Sequence, residues 1–375
     1  VLKDPFVNRK GPFRTIGKPI VIISINDKRV VDWISFQAEA NGLGAVDAFQ
    51  VTLPWEVTEN QPRDELLFSG PSKSSELVFG TAAVKIEAGF EGEGDPALLI
   101  EGMMDRPTWD FSKRDGEIVT IHGRSYAAKP FDYKETAKWQ NQTSTAAFKQ
   151  IAAIHGLTPV VPVETATLIG GYEKEDHVDT KREISHWDFV LYMAQNEGFT
   201  TRVKGEEWYF GPQENLPGYT LDPISFTWGF NIDEHFCIER APNAARNLIV
   251  EVISWIPGKK KGKGQRIVEK ASFSGSSTGH KYTQRYYYPN LTRDQCQRKA
   301  RSILEDLSRQ QVYGSFDTDW FPELSNDRRI SLNGVGVGLS QVYFTPKIVV
   351  LGSKEGLKAE ISFTNLPFEE GGQFG

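Results

Sequence analysis

Sulfur is scarce in this chain: 375 residues hold 2 Cys and 3 Met. Two thiols exclude a disulfide framework and a four-thiolate zinc site. Cys237 and Cys296 read as a pair of buried free thiols, with a single bridge between them as the alternative. Long apolar runs are missing as well. Stretches such as Ile20–Ile25 fall far short of the roughly 20 residues that cross a bilayer, which excludes a membrane protein. Val1–Arg14 mixes charges with Pro5, Gly11 and Pro12, so no signal segment is expected there. Nor is there a surplus of positive charge. With 43 Lys and Arg against 49 Asp and Glu, the net charge of -6 offers nucleic acid no general attraction.

What is present fits an ordinary globular chain. Hydrophobic residues make up 39 % and charged residues 25 %, which excludes disorder as the main state. At about 150 residues per domain the length suggests two to three domains. Aromatics at 12 % imply rigid packing, and 34 Gly favour a turn-rich, largely β chain.

Hydrophobic alternation predicts a first β domain over residues 1–127. Its strands are Pro19–Ile25, Val30–Glu39, Ala48–Leu53, Thr81–Gly89, Leu98–Met104 and Ile118–Gly123. Asn26–Asp27 and Lys113–Gly116 supply turns, and Pro54 stops a strand. Strands at this spacing with no intervening helical pattern argue for a barrel or sandwich.

Residues 128–215 read as an inserted α+β module. Thr143–His155 places Ala146, Ala147, Ile151 and Ile154 at helical spacing, with Thr143/Ser144 as caps and Gly156 as the stop. In Ser185–Gly198, Trp187, Val190, Leu191 and Ala194 share a stripe that Gly198 closes. Phe199–Val203 and Glu207–Phe210 follow as a hairpin.

A second β domain is expected over residues 216–375. Its strands are Asn247–Ile256, Arg266–Lys270, one around Tyr286–Tyr288, Arg329–Leu332, Gln341–Thr345, Lys347–Leu351 and Lys358–Thr364. One helix interrupts them at Thr292–Val312, with Thr292 and Gln295 as a capping box and Ala300, Ile303, Leu304 and Leu307 as its apolar stripe. Ser274–Gly279 reads as a flexible loop and Glu369–Gly375 as a frayed tail. Met104–Gly123 and Phe344–Asn365 echo one another, each with a proline, a glycine turn and an alternating strand. Two β domains of common design, or chance, account for that echo.

Catalytic patterns do not emerge. His122, His155, His177, His186, His235 and His280 are scattered and form no His-Glu-x-x-His pair; Asp176, His177 and His186 make no convincing ligand spacing. No Gly-x-Ser-x-Gly elbow occurs. His235 and Cys237 share one strand face without a third partner. Gly258-Lys-Lys-Lys-Gly-Lys-Gly264 lacks Walker spacing, and no helix opens after Gly334–Gly338 to receive a phosphate. Lys259, Lys260, Lys261 and Lys263 read as a solvated hairpin tip or as a contact for an acidic protein surface or nucleic acid. Catalytic, cofactor and metal sites are accordingly expected to be absent. Carboxylate pairs, Glu173/Glu175/Asp176 or Asp317/Asp319, leave a β-rich cell-wall glycan hydrolase as the alternative. A carbohydrate-binding module is another, with Trp109, Trp208 or Trp320 as the exposed platform.

The β–insert–β order carries a resemblance. It lies in Ala48-Phe-Gln-Val-Thr-Leu-Pro-Trp55, Val84-Lys-Ile-Glu-Ala-Gly-Phe90, Ile100-Glu-Gly-Met-Met-Asp105 and Ile121-His-Gly-Arg-Ser125. Ile184-Ser-His-Trp-Asp-Phe-Val-Leu-Tyr-Met-Ala194 through Phe199 continues it. In this order the chain resembles the baseplate hub proteins of contractile-tailed phages, the Mu-like hub and late-control D family, and the N-terminal part of VgrG spikes. The resemblance implies a mainly β fold of two antiparallel β-barrel-like domains separated by a small α+β module. It further implies a non-enzymatic homotrimer whose duplicated domains form a pseudo-sixfold ring between a hexameric tail tube and a trimeric spike. The implied partners are the tail tube protein, the central spike protein, other baseplate proteins and the tape measure protein. The implied location is the virion baseplate, assembled in the host cytoplasm. VgrG chains carry a fused spike after the hub portion; this chain stops at Gly375, so a separate spike protein is expected.

Overall fold

Alternating apolar positions with turn residues between them make most of the chain β. The computed structural model describes residues 18–42, 44–55, 82–112, 116–135, 142–166, 168–169, 184–232, 235–241, 248–256, 264–272, 282–289, 291–309, 311–336 and 338–365. The first region holds β1 (Pro19–Ile25), β2 (Lys28–Val30), β3 (Ser35–Asn41), β4 (Ala48–Pro54), β5 (Ala83–Phe90), β6 (Ala97–Ser112) and β7 (Gly116–Ser125). The insert has α1 (Ala128–Asp132), β8 (Lys134–Glu135), β9 (Gln142–Thr143), α2 (Ser144–Ile154), β10 (Thr158–Val160), β11 (Leu168–Ile169), β12 (Ile184–Ser185), α3 (His186–Glu197), β13 (Thr200–Lys204) and β14 (Glu207–Gly211). The remainder contributes β15 (Ile224–Thr227), β16 (Phe236–Arg240), β17 (Leu248–Ile256), β18 (Gln265–Ser272) and β19 (Tyr282–Pro289). It ends with α4 (Arg293–Arg309), β20 (Val312–Asp319), β21 (Ile330–Asn333), β22 (Val342–Ser353) and β23 (Gly356–Asn365). The mainly β class with an α+β insert is the one expected.

Thirteen strands join into one sheet, along the path β16-β20-β23-β22-β3-β4-β7-β6-β5-β1-β2 with β21 and β15 branching from β22. All its pairs are antiparallel except β15 with β21. Strand β22 lies against β3, Gly352 opposite Phe36, and so joins the two ends of the chain. The inward side chains of both regions make one apolar cluster, with Val51, Ile86 and Ile121 beside Phe226, Phe316 and Ile361. A glycine faces a phenylalanine at three such pairs: Gly352 with Phe36, Gly123 with Phe49 and Gly314 with Phe363. The ring covers the bare backbone opposite it, which lets neighbouring strands close tightly.

Two expected breaks are instead continuous strands. β6 runs on through Pro107, and β22 unites the two segments expected on either side of Pro346. Each carries a register shift near its proline: between Met104 and Arg106, just before Pro107, and between Phe344 and Lys347, across Pro346. Pro346 lies within its bulge, out of the ladder, so its missing N–H costs little there; Pro107 is paired opposite Ile121, on a stretch of β6 beyond the last residue that pairs with β5. The internal echo in the sequence falls on these two hairpins. In the opposite sense, Val30–Glu39 divides into β2 and β3. The last turn assigned to the long helix ends at Arg309, and Val312–Asp319 is a strand that alternation in Val312, Phe316 and Thr318 explains.

The caps fall where expected. Thr143 Oγ1 accepts from Ala146 N at 3.2 Å, Ser185 Oγ from Asp188 N at 3.0 Å, and Gly198 closes α3 with φ 72°. The Thr292–Gln295 box forms, with Thr292 N donating to Gln295 Oε1 at 2.8 Å and Gln295 N donating back to Thr292 Oγ1 at 3.4 Å. In α2 the buried face is turned from that expected: Ala147, Phe148, Ile151 and Ala152 are buried and Ile154 is exposed. Phe148 decides this, because its ring stacks on Phe210 at 4.9 Å and meets Trp208 edge-on at 5.2 Å. These residues, with Trp187, Val190 and Met193 from α3, form a second core. A third lies between α4 and the sheet β18-β17-β19, where Leu248, Val250 and Val252 meet Cys296, Ala300 and Leu304.

Candidate interaction surfaces

The residues singled out for chemistry are mostly dispersed. Among the described residues no three His, Cys, Asp or Glu side chains gather as metal ligands. Glu173, Glu175, Asp176, His177, His280, the lysines at 259–263, the loop at 274–279 and the tail from Glu369 lie outside the described residues. Asp317 and Asp319 sit on β20, and Asp319 is paired with Lys358 at 2.8 Å. Gly334, Gly336 and Gly338 all have positive φ in the connection from β21 to β22, as a twisted strand link requires. Cys237 is exposed, which corrects the expectation of two buried thiols; Cys296 alone is buried, and both are free. On β16 the even residues Phe236 and Ile238 pack on the core, so alternation turns Cys237 outward. Trp208 and Trp320 are not exposed platforms. Trp208 stacks on Trp187 at 5.8 Å and Trp320 on Phe90 at 6.0 Å, while Trp109 is half-buried edge-on to Trp55.

One contact between histidines escaped sequence reasoning. His155, the residue that caps the C-terminus of α2, and His186, the first residue of α3, place Nε2 and Nδ1 2.8 Å apart. Tyr133 lies 4.8 Å from the His186 ring, and Glu135 Oε2 is 3.3 Å from His186 Nε2. Burial, then the neighbouring charges of His186 and Lys129, push His155 down to about 4. Burial also lowers His186, against the pull of Glu135. Both rings are therefore neutral near pH 7, one donating to the other. The only signal in the sequence was that each histidine sits at a capped helix end.

Buried polar contacts dock the insert onto its surroundings. Trp187 Nε1 donates to Gly44 O at 2.9 Å. Arg202 on β13 reaches Asp327 Oδ2 at 2.9 Å and Asn326 Oδ1 at 3.1 Å. Burial opposes ionisation of Asp327, yet Arg202, Ser325, Lys204 and the Gly218 N–H hold its carboxyl below the ordinary range. Beside them a cavity of about 150 Å³ is lined by Asp47, Arg202, Lys204 and Trp320. Burial there pushes the Asp47 carboxyl up to about 7, against the Asn41 N–H and the charge of Arg202. On the other side, Glu197 accepts from Ser144 Oγ at 2.9 Å and from Arg298 of α4 at 2.8 Å.

Two surface features stand out. The first is an open groove of about 1070 Å³ bounded by Leu191, Thr200, Glu239, Asp306, Tyr313 and Phe363. Strand β16 borders it at one end of the path through the large sheet. The second is the outer face of β18-β17-β19. Its cross-strand rows are Lys270–Glu251–Arg285, Val268–Ile253–Tyr287 and Arg266–Trp255–Pro289. Glu251 is buried between Lys270 at 3.2 Å and Arg285 at 2.7 Å. Hydrogen bonds from these two cations hold its carboxyl below the ordinary range.

Joined sheets, a docked insert and open faces make up a β-rich fold. No known protein-family profile matches the chain, and no curated protein matches its sequence. Solved structures do share its fold. The 43 kDa tail protein of prophage MuSo2 from Shewanella oneidensis aligns with a TM-score of 0.68 over 93 % of this chain and 98 % of its own, at 12 % identity. The tail protein from Neisseria meningitidis aligns at 0.67 over 93 % and 97 %, with 14 % identity. A type VI secretion component of Escherichia coli, described as similar to the T4 tail proteins gp27 and gp5, aligns at 0.50 over 93 % and 77 %, with 11 % identity. The neighbours are thus phage tail proteins and a component of type VI secretion, the two groups the sequence resembles.

Proposed function

We propose that the chain is a structural component of a phage tail: a baseplate hub that assembles as a homotrimer and joins a hexameric tail tube to a trimeric spike. The observation that carries this reading is the end-to-end match with two tail proteins. It leaves almost none of their length, and little of this chain's, unaccounted for.

The sheet order supports the reading. Along the path, β20-β23-β22-β3 is followed by β4-β7-β6-β5, and each set contains a hairpin whose first strand is bulged at a proline or just before one. Two barrel-like units of one design per chain would present six related units in a trimer, while the chains keep true threefold symmetry. Except for β3, which residues 1–127 contribute to the unit of β20, β22 and β23, the units fall within the proposed domains at residues 1–127 and 216–375, separated by the module at 128–215. Function on this reading is assembly driven by buried interface, without catalysis. The partners are the tube protein, the spike protein, other baseplate proteins and the tape measure protein, and the site of action is the tail baseplate of the virion.

Light scattering of the purified protein tests the reading. A mass of three times 42.1 kDa, with ring-shaped particles by electron microscopy and no product released from peptidoglycan, is the expected result. A monomer that degrades peptidoglycan would overturn it.

A further inference from the structure

The charge of this acidic chain is unevenly distributed. Between Leu248 and Arg301 the sequence holds twelve Lys and Arg against three Asp and Glu; elsewhere it holds 31 against 46. That basic stretch spans β17–β19 and most of α4. One face of its sheet is closed by α4, as the third apolar core shows. Its other face is open: Tyr287 is 70 % and Trp255 55 % exposed, and the Lys270 and Arg285 side chains are about equally so.

The pattern on the open face is that of a contact surface. Ile253 and Val268 form an apolar floor between Tyr287 and Trp255, and Arg266 lies opposite Trp255. Glu251 is neutralised by two cations, so the row nearest the floor carries net positive charge. Tyrosine, tryptophan and arginine are the residues that concentrate binding energy in protein interfaces.

We propose that this face docks on the acidic surface of a second copy of the chain. The inference rests on the trimeric hub reading and names its interface. The occupant follows from charge: outside residues 248–301 acids outnumber bases 46 to 31, and Glu91, Glu93 and Asp95 are all exposed on the single turn between β5 and β6. Opposite charges on different parts of one chain favour a head-to-tail contact. Such a heterologous contact closes into a ring when each copy is rotated by a third of a turn.

The test compares the wild type with Arg266→Glu/Tyr287→Ser, whose side chains point outward, by light scattering and thermal melting. At about 0.1 M salt the wild type has the mass of three chains and the variant that of one; the variant still melts cooperatively, at a lower temperature that does not depend on protein concentration. Arg266→Ser shifts the mass in the same direction by less. At about 1 M salt, where the screening length falls to roughly 3 Å, the wild-type trimer weakens. A variant that folds and stays trimeric overturns the interface and leaves the hub reading standing. A wild type that is monomeric at every concentration overturns both. Salt-sensitive binding of a fluorescent single-stranded oligonucleotide to the wild type, lost in the variant, would make the occupant a nucleic acid and overturn the second copy.

Discussion

The central sheet takes its neighbours from opposite ends of the chain, whereas the two smaller cores are each built from one continuous stretch. Phe148, Trp187 and Trp208 lie within the insert, and Leu248 through Leu304 within one β–helix segment. By contrast β3, at residues 35–41, is held between β4 and β22, whose residues are about three hundred positions later. The two local cores pair strands and helices that meet soon after synthesis, at small loop-closure cost. The central sheet cannot be completed until β22 returns, so its order depends on the whole chain. A defect in a local core should therefore stay local, and a defect at the β3–β22 seam should not.

The largest expected effect isolates the insert. Trp208 is fully buried, stacks on Trp187 and donates to Thr201 Oγ1 at 2.9 Å. Trp208→Ala should cost about 3–5 kcal/mol in the insert. Hydrogen exchange should rise across residues 142–211 while the strands β4–β7 keep their protection; equal loss in both would erase the distinction between local and long-range cores. A smaller effect is expected at the seam. A Cβ on Gly352 would lie 1.9 Å from the Phe36 ring, so Gly352→Ala should cost about 1–3 kcal/mol. Chemical denaturation should show that loss in the transition of the whole sheet, from β2 to β16. An unchanged midpoint would mean that the two halves do not depend on this strand.

The smallest effect distinguishes the insert by pH. An unfolded His155 takes up a proton near pH 6.5, while the folded ring resists it until about pH 4. Within that window the unfolded state binds more protons, so the stability of the insert falls as pH drops from about 6.5 to about 4. Because the ring is only half-buried, screening limits the loss to about 1 kcal/mol, or ~4–8 °C in the melting temperature of a unit the size of the insert. His155→Gln should flatten this dependence in the insert and leave that of the central sheet unchanged. An identical slope in the variant would assign the pH response to other groups.

Much of the fold was legible in the residues. Period-two alternation marked most strands, and Thr143, Ser185, Gly198 and the Thr292–Gln295 box marked the helix ends, because caps and alternation are local properties. Prolines misled at Pro107 and Pro346, since a proline is a strand breaker only where its N–H would face a ladder partner. Alternation also failed to tell Phe148 from Ala146 as the inward residue of α2; the aromatic neighbours that anchor Phe148 come from β14. For the candidate surfaces the basic stretch was visible in part, as the lysine run. The histidine pair was not, because its members lie 31 residues apart and meet only when α2 and α3 pack.

By itself the sequence determined the β class, the capped helices and the apolar faces that make each local core, because propensity and periodicity act over a few residues. Tertiary structure alone decided which strand lies beside which, that Trp208 and Trp320 are core, and that one face of β17–β19 stays open. An alternating strand specifies the side it buries but carries no address for its neighbour. That choice is made by long-range pairing, where the glycines opposite Phe36, Phe49 and Phe363 let particular strands close on one another.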